Sequence, residues 1–117
     1  MKIYKTDIYS DDISIKNLML INSNKELFIP GTYIVEKNTD KEIRDVGIFL
    51  EYGEKTLIDW VFQFDHLNSV KPPSDGRFTK VYIKRNDTIT VKIFYTINDK
   101  EQIISRDIKV ADILLEH

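Results

Sequence analysis

Asp65-His66, with Asp59 and Asp75 close by in sequence, is the place in this chain where acid–base chemistry could be assembled. A histidine beside a carboxylate is a legitimate general base. Neighbouring residues of an extended chain point to opposite sides, however, so Asp65 and His66 cooperate only where a strand has already ended. No serine or threonine stands in the Gly-x-Ser-x-Gly setting that would supply a nucleophile. A hydrolase around Asp65, His66 and Asp75 is therefore kept only as a second alternative. The better account of His66 is a surface side chain at a strand end, and no residue is assigned a catalytic role.

Metal and cofactor chemistry fares no better. Cysteine is absent, which removes disulfides, thiolate zinc sites and a cysteine nucleophile together. Leu115-Glu116-His117 reads as the start of a vector-derived histidine tag, so residues 115–117 are set apart from a single β domain over 1–114. That leaves His66 as the one native histidine. Carboxylates cluster at Asp7, Asp11 and Asp12 and again at Asp40, Glu42 and Asp45, but neither run has the Asp-x-Asp-x-Asp-Gly spacing of a calcium loop. Solvated turns explain them. The four glycines, Gly31, Gly47, Gly53 and Gly76, are isolated and none precedes a helix, so no glycine-rich phosphate loop is present. No metal and no cofactor are expected.

What remains is a surface. If the segments Phe78–Lys84 and Ile89–Ile97 form a hairpin, Phe78, Lys80, Tyr82 and Lys84 lie beside Lys92 and Phe94, with Lys109 within reach. Cations interleaved with rings on an open sheet suit single-stranded nucleic acid, the cations for phosphate and the rings for stacked bases. The plainer account is a solvent face on which lysine stems cover exposed rings. Asp107 would join the same face, and the net charge of −2 provides no attractive field for a polyanion. Contact with another protein, or self-association, is the use preferred here, because exposed aromatic patches are commonly interfaces.

These residues must be carried by β-structure. From Ile13 to Val110 apolar and polar residues alternate in short runs, broken about every eight to twelve residues by turn formers. Strands are expected at Ile13–Ile21, Tyr33–Glu36, Val46–Glu51, Thr56–Phe64, Phe78–Lys84, Ile89–Ile97 and Ile103–Val110, with a weaker one at Ile3–Tyr9. Asn22-Ser23-Asn24, Pro30-Gly31 and Asn38-Thr39-Asp40 have turn chemistry, and Pro72-Pro73 bar the stretch 68–76 from any central strand.

Two registers can be argued from apolar matching. An odd loop over Arg85–Ile89 aligns Val81 and Ile83 with Ile89, Val91 and Ile93, and Ile97 set against Ile104 places Ile93 near Ile108. In Ile58-Asp59-Trp60-Val61-Phe62-Gln63-Phe64, the residues Ile58, Trp60, Phe62 and Phe64 share one face, and Trp60 is taken as the best core marker.

The 117 residues, 42% hydrophobic and 31% charged, are enough for one core and argue against disorder. Roughly seven or eight short strands without an amphipathic helix make an all-β, antiparallel two-layer sandwich, immunoglobulin-like by strand count, with a small barrel as runner-up. No stretch approaches the roughly 18 apolar residues of a membrane span, so a cytoplasmic protein with no membrane partner is expected. Richness in Ile, Lys, Asn and Asp suggests an AT-rich bacterial genome. The function expected is non-catalytic: a small sandwich acting through protein–protein contact. The alternative is a nucleic-acid-binding barrel using the basic–aromatic face.

Overall fold

Where β-branched and aromatic residues alternate with polar ones the chain runs extended, because that pattern buries one side of a pleat and wets the other. A computed structural model, which describes residues 1–63 and 65–115, contains ten strands among those residues. They are β1 (Lys2–Tyr9), β2 (Ile13–Asn22), β3 (Glu26–Ile29), β4 (Ile34–Lys37), β5 (Ile43–Tyr52), β6 (Lys55–Phe62), β7 (Ser69–Val70), β8 (Gly76–Thr79), β9 (Thr88–Ile97) and β10 (Lys100–Lys109), followed by a 3-10 turn over Val110–Ile113. Phe64, placed by sequence on the aromatic face, and the last two residues of the tag-like end lie outside the described residues.

Two open antiparallel sheets pack together as a sandwich, not as a closed barrel. β2 is the trunk of a six-stranded sheet. β1 pairs along it, while its other edge takes β4 against Ile13–Lys16 and β3 against Ile21–Asn22. β7 extends the β4 branch and β8 the β3 branch. The second sheet runs β10-β9-β5-β6. The core between them is aliphatic, with Ile13, Ile15, Leu20, Leu27 and Val35 from one sheet and Ile43, Ile48, Leu50, Ile89, Val91 and Ile93 from the other. Among the described residues no helix is long and apolar enough to cross a membrane.

Two bulges explain why the apolar pattern changes phase within single strands. Ile13 and Ile15 are buried at odd positions and Leu18 and Leu20 at even ones, and between them Asn17 takes φ 65°. Its amide donates to the Asp7 carboxylate at 2.7 Å, which fixes the irregularity between β1 and β2. In β5 the same change occurs between Ile43 and Val46, where Asp45 takes φ 52°. Asparagine and aspartate tolerate this left-handed conformation better than other non-glycine residues.

The two expected registers are not formed. β10 does fold back on β9, but Ile97 pairs with Lys100 and Ile93 with Ile104, four residues from the expected alignment. Asn98 and Asp99, at φ 51° and 60°, make a two-residue turn with both central residues left-handed, which matches strand twist and sets the register. The hairpin between Phe78–Lys84 and β9 is absent as well. β8 ends at Thr79 and pairs with β3, and β9 pairs with β5 instead.

The cause of that second departure is a polar clamp. Lys80 turns the chain at φ 58°, and the buried amide of Asn22 then donates to Val81 O at 2.9 Å and accepts from Ile83 N at 2.7 Å. Val81 and Ile83 are buried, but in a crossover between sheets and not in a strand. β3 and β7, only four and two residues long, are too short for the sequence pattern to show.

Candidate interaction surfaces

The basic–aromatic face is not assembled. Phe78 sits on β8 in the six-stranded sheet, packed against the core. Lys80, Tyr82 and Lys84 belong to the crossover; the Tyr82 hydroxyl donates to Asn24 O at 3.1 Å, and the Lys84 amide donates to the Asp87 carboxylate. Lys109 ends β10 opposite Thr88. Lys92 and Phe94 alone share a face, on β9, and the Lys92 ammonium is 3.2 Å from Glu51 Oε1. The single-stranded nucleic-acid reading thereby loses both its barrel and its surface.

The hydrolase constellation is not assembled either. His66 Nδ1 faces Glu42 Oε1 at 3.6 Å with both side chains exposed. The Asp75 carboxylate accepts the Gly31 amide at 2.6 Å, closing the loop after β3. Asp65 instead borders a shallow opening with Arg44, Asp45 and Gln63. Among the described residues no group of three or more His, Asp or Glu is placed to hold a metal.

Polar pins hold the crossover and the sandwich end instead of making a reactive site. The Tyr52 hydroxyl donates to the Asp87 carboxylate, which also accepts the Lys84 amide at 2.8 Å. These donors hold the Asp87 carboxyl below its ordinary range, the tyrosine bond being the larger cause. Burial, reinforced by the Asp87 charge, pushes the Tyr52 phenol up to about 12. Tyr95, whose hydroxyl donates to Asp12 at 2.8 Å, is pushed up to about 12 for the same reasons, burial first. Both phenols stay protonated near neutrality, as structural donors must.

Two surfaces remain. One is a cleft of about 310 Å³ where the free edge of β6 passes β8, lined by Ile29, Tyr33, Trp60, Pro73, Asp75 and Phe78 among others. Trp60, expected at the centre of the core, is half-buried at this cleft. Its ring lies stacked beside Tyr33 and edge-on to Phe62, and its indole N–H donates to the Tyr33 hydroxyl at 2.7 Å. An indole needs a partner for its N–H, and a rim position supplies one where the aliphatic core could not. The Tyr33 phenol is raised by burial, partly opposed by this bond.

The other surface is the outer face of the four-stranded sheet. The registers place Val61 opposite Gly47, Gly47 opposite Phe94 and Phe94 opposite Ile103, one row across all four strands. Val61 is 62% exposed, Phe94 36% and Ile103 63%. Phe49, the next outward residue on β5, meets Phe94 edge-to-face at 5.2 Å between centroids. Gly47 is buried within the row: a Cβ there would lie 3.2 Å from the Phe49 ring and 3.3 Å from Val61, so these two side chains close over it. Sequence reasoning places Phe94 and Lys92 on an exposed face. It misses Val61 and Ile103 because their alignment depends on registers that apolar matching does not give.

No protein-family model and no curated protein matches the chain. Among solved structures, the GAE domain of GGA2p from Saccharomyces cerevisiae superimposes with a TM-score of 0.54 at 12% identity, covering 90% of this chain and 94% of that one. That likeness shows the fold. It extends over nearly the full length of both chains, so the sandwich is matched as a whole and not by one hairpin. At this identity it transfers no residue and no ligand.

Proposed function

We propose that the protein is a non-catalytic β-sandwich that acts through protein–protein contact, made by the outer face of the β10-β9-β5-β6 sheet. The observation that carries this reading is the row Val61–Gly47–Phe94–Ile103. Single exposed apolar residues are ordinary on a soluble protein, but three aligned across a sheet, with Phe49 beside them, form a continuous patch. The flanking residues are Lys92, Asp59 and Glu51, which gives the apolar-centre, polar-rim arrangement of interfaces. The location favoured remains cytoplasmic.

The test is affinity capture from the source organism, using the wild-type chain and a Phe94→Glu/Ile103→Lys chain side by side as baits. Both substituted side chains are solvent-facing, so the variant should fold, as checked by its far-UV circular dichroism. A partner, or a further copy of this chain, retained by the wild type and lost by the variant is the expected result. Partners retained equally by both baits would move the contact elsewhere on the molecule.

A further inference from the structure

Apart from the outer face, we propose that the protein takes an extended peptide segment as a strand on the free edge of β6, one in which apolar residues alternate with Lys or Arg. In strand addition the backbone ladder gives affinity and alternate side chains give specificity. β6 ends the four-stranded sheet, and among the described residues no strand pairs with its other side. The backbone donors and acceptors on that side are open to a fifth strand.

The two edges of this sheet are not equivalent. β10 is exposed at nearly every position and carries Lys100, Glu101, Arg106, Asp107 and Lys109, charges on both faces that guard an edge against pairing. Over residues 58–62, β6 carries one charge, Asp59. The irregularity at Leu57 precedes this stretch, and residues 58–62 pair with β5 without interruption. The cleft of about 310 Å³ runs along the same strand, with residues 56–60 lining it on the β6 side and residues 73–76 with Phe78 on the β8 side. A strand edge beside an open cleft has room for both a backbone ladder and the side chains that hang from it.

The alternation of β6 dictates the chemistry of the segment. Residues of an added strand point to the same side as those they oppose. Opposite Ile58 and Trp60 they enter the cleft, which is lined by Ile29 and Phe78 as well, and must be apolar. Opposite Asp59, which is exposed on the other side, they meet a carboxylate. Asp59 pairs with Phe49, and the ammonium next along that row, Lys92, is taken by Glu51 at 3.2 Å. Asp75, the second carboxylate at the cleft, accepts the Gly31 amide. Among the described residues neither carboxylate has a cation within ion-pair distance. A Lys or Arg in the segment supplies the missing charge, and an acidic segment is repelled.

The probe is a phage-displayed library of seven-residue peptides without tryptophan, panned on the full chain. Enriched peptides should alternate apolar residues with Lys or Arg. Trp60 is the one tryptophan and lines the cleft, so the most enriched peptide, made synthetically, should shift its emission to the blue with saturation. The dissociation constant should be on the order of 100 µM, since ordering a free peptide offsets much of the contact energy. Asp59→Lys, an exposed change checked for folding by circular dichroism, should weaken binding by roughly fivefold or more. Two N-methylated forms of the peptide separate a strand from a mere side-chain pocket. Amides of a strand alternate in direction, so methylation of one alternate set should abolish binding and methylation of the other should spare it.

No enrichment above the bare support, an unchanged Trp60 emission, undiminished binding to Asp59→Lys, or equal behaviour of the two N-methylated forms would each overturn the proposal. The Phe94→Glu/Ile103→Lys variant should bind the peptide as the wild type does. Loss of the peptide in that variant would place it on the outer face and remove the edge site. Failure of the edge site leaves the capture experiment on the outer face untouched, and failure of that experiment leaves the peptide titration untouched.

Discussion

The two faces of the four-stranded sheet are built from the same strands and meet opposite fates. On β9 the residues Ile89, Val91, Ile93, Tyr95 and Ile97 all point inward and are buried, while Thr90, Lys92, Phe94 and Thr96 between them point outward. The inner face is aliphatic and continuous, and it is covered by the six-stranded sheet. The outer face carries ion pairs and hydroxyls at its margins and an uncovered apolar row at its centre. Alternation alone would have made that centre polar. On the function proposed above, this row, which departs from the sheet's own pattern on the side the fold leaves open, is the surface that meets a partner.

The largest effect should fall on the inner face. Ile93→Ala removes a fully buried side chain opposite Ile48 and Ile104, and it should cost about 3–4 kcal/mol of unfolding free energy in urea titration. A loss below about 1 kcal/mol would mean that this face is not the core.

Next comes the rim between the two sheets. Trp60→Ala should cost about 2 kcal/mol, less than a fully buried tryptophan, because the ring packs against the core but keeps part of its surface in contact with water. Trp60→Phe should recover most of that, leaving the missing N–H to Tyr33 as the remainder. If Phe is no better than Ala, the indole's hydrogen bond outweighs its packing.

Asp87→Asn should cost about 1–2 kcal/mol near neutral pH by weakening the bonds from Tyr52 and the Lys84 amide. Its pH dependence has a definite sign. Because the folded carboxyl titrates below its unfolded value, its contribution is complete above that unfolded value and is lost as pH falls through the folded one. The wild-type advantage over Asp87→Asn should therefore shrink on acidification, read from urea midpoints. An advantage that grows in acid would contradict the pairing.

The phenols run the other way. Tyr52 and Tyr95, raised to about 12, contribute fully below the unfolded value near 10. They lose that contribution as pH climbs to about 12. An ultraviolet titration should show Tyr52 and Tyr95 ionising late, with Tyr4 and Tyr33, which burial also raises, above the ordinary value among the six tyrosines. Tyr52→Phe and Tyr95→Phe should each remove one late phenol.

How much of this was legible depended on what fixes each element. β9 reads plainly because five inward residues alternate without interruption. β2 and β5 are less legible, since Asn17 and Asp45 shift the phase in mid-strand and neither residue type signals a bulge by itself. The position of the β9–β10 turn was readable, but its register was not. β10 is an edge strand exposed for most of its length, so its isoleucines are not obliged to match apolar partners, and the Asn98-Asp99 turn decides.

The crossover after β8 depends on Asn22, a side chain about sixty residues earlier in the chain, which no local pattern reveals. The proposed interaction surface inherits these limits. Phe94 and Lys92 were visible on one strand, but the row through Val61, Gly47 and Ile103 exists only once three strand registers are known.

The smallest expected change in stability is also the most direct test of the contrast between the faces. The double variant Val61→Thr/Ile103→Thr keeps β-branched side chains in both strands and removes only exposed apolar surface. Its unfolding free energy, measured by urea titration of dilute protein so that association does not contribute, should lie within about 0.5 kcal/mol of wild type. A loss of more than about 2 kcal/mol would show that the outer row belongs to the fold's own stability and is not surface kept for a partner.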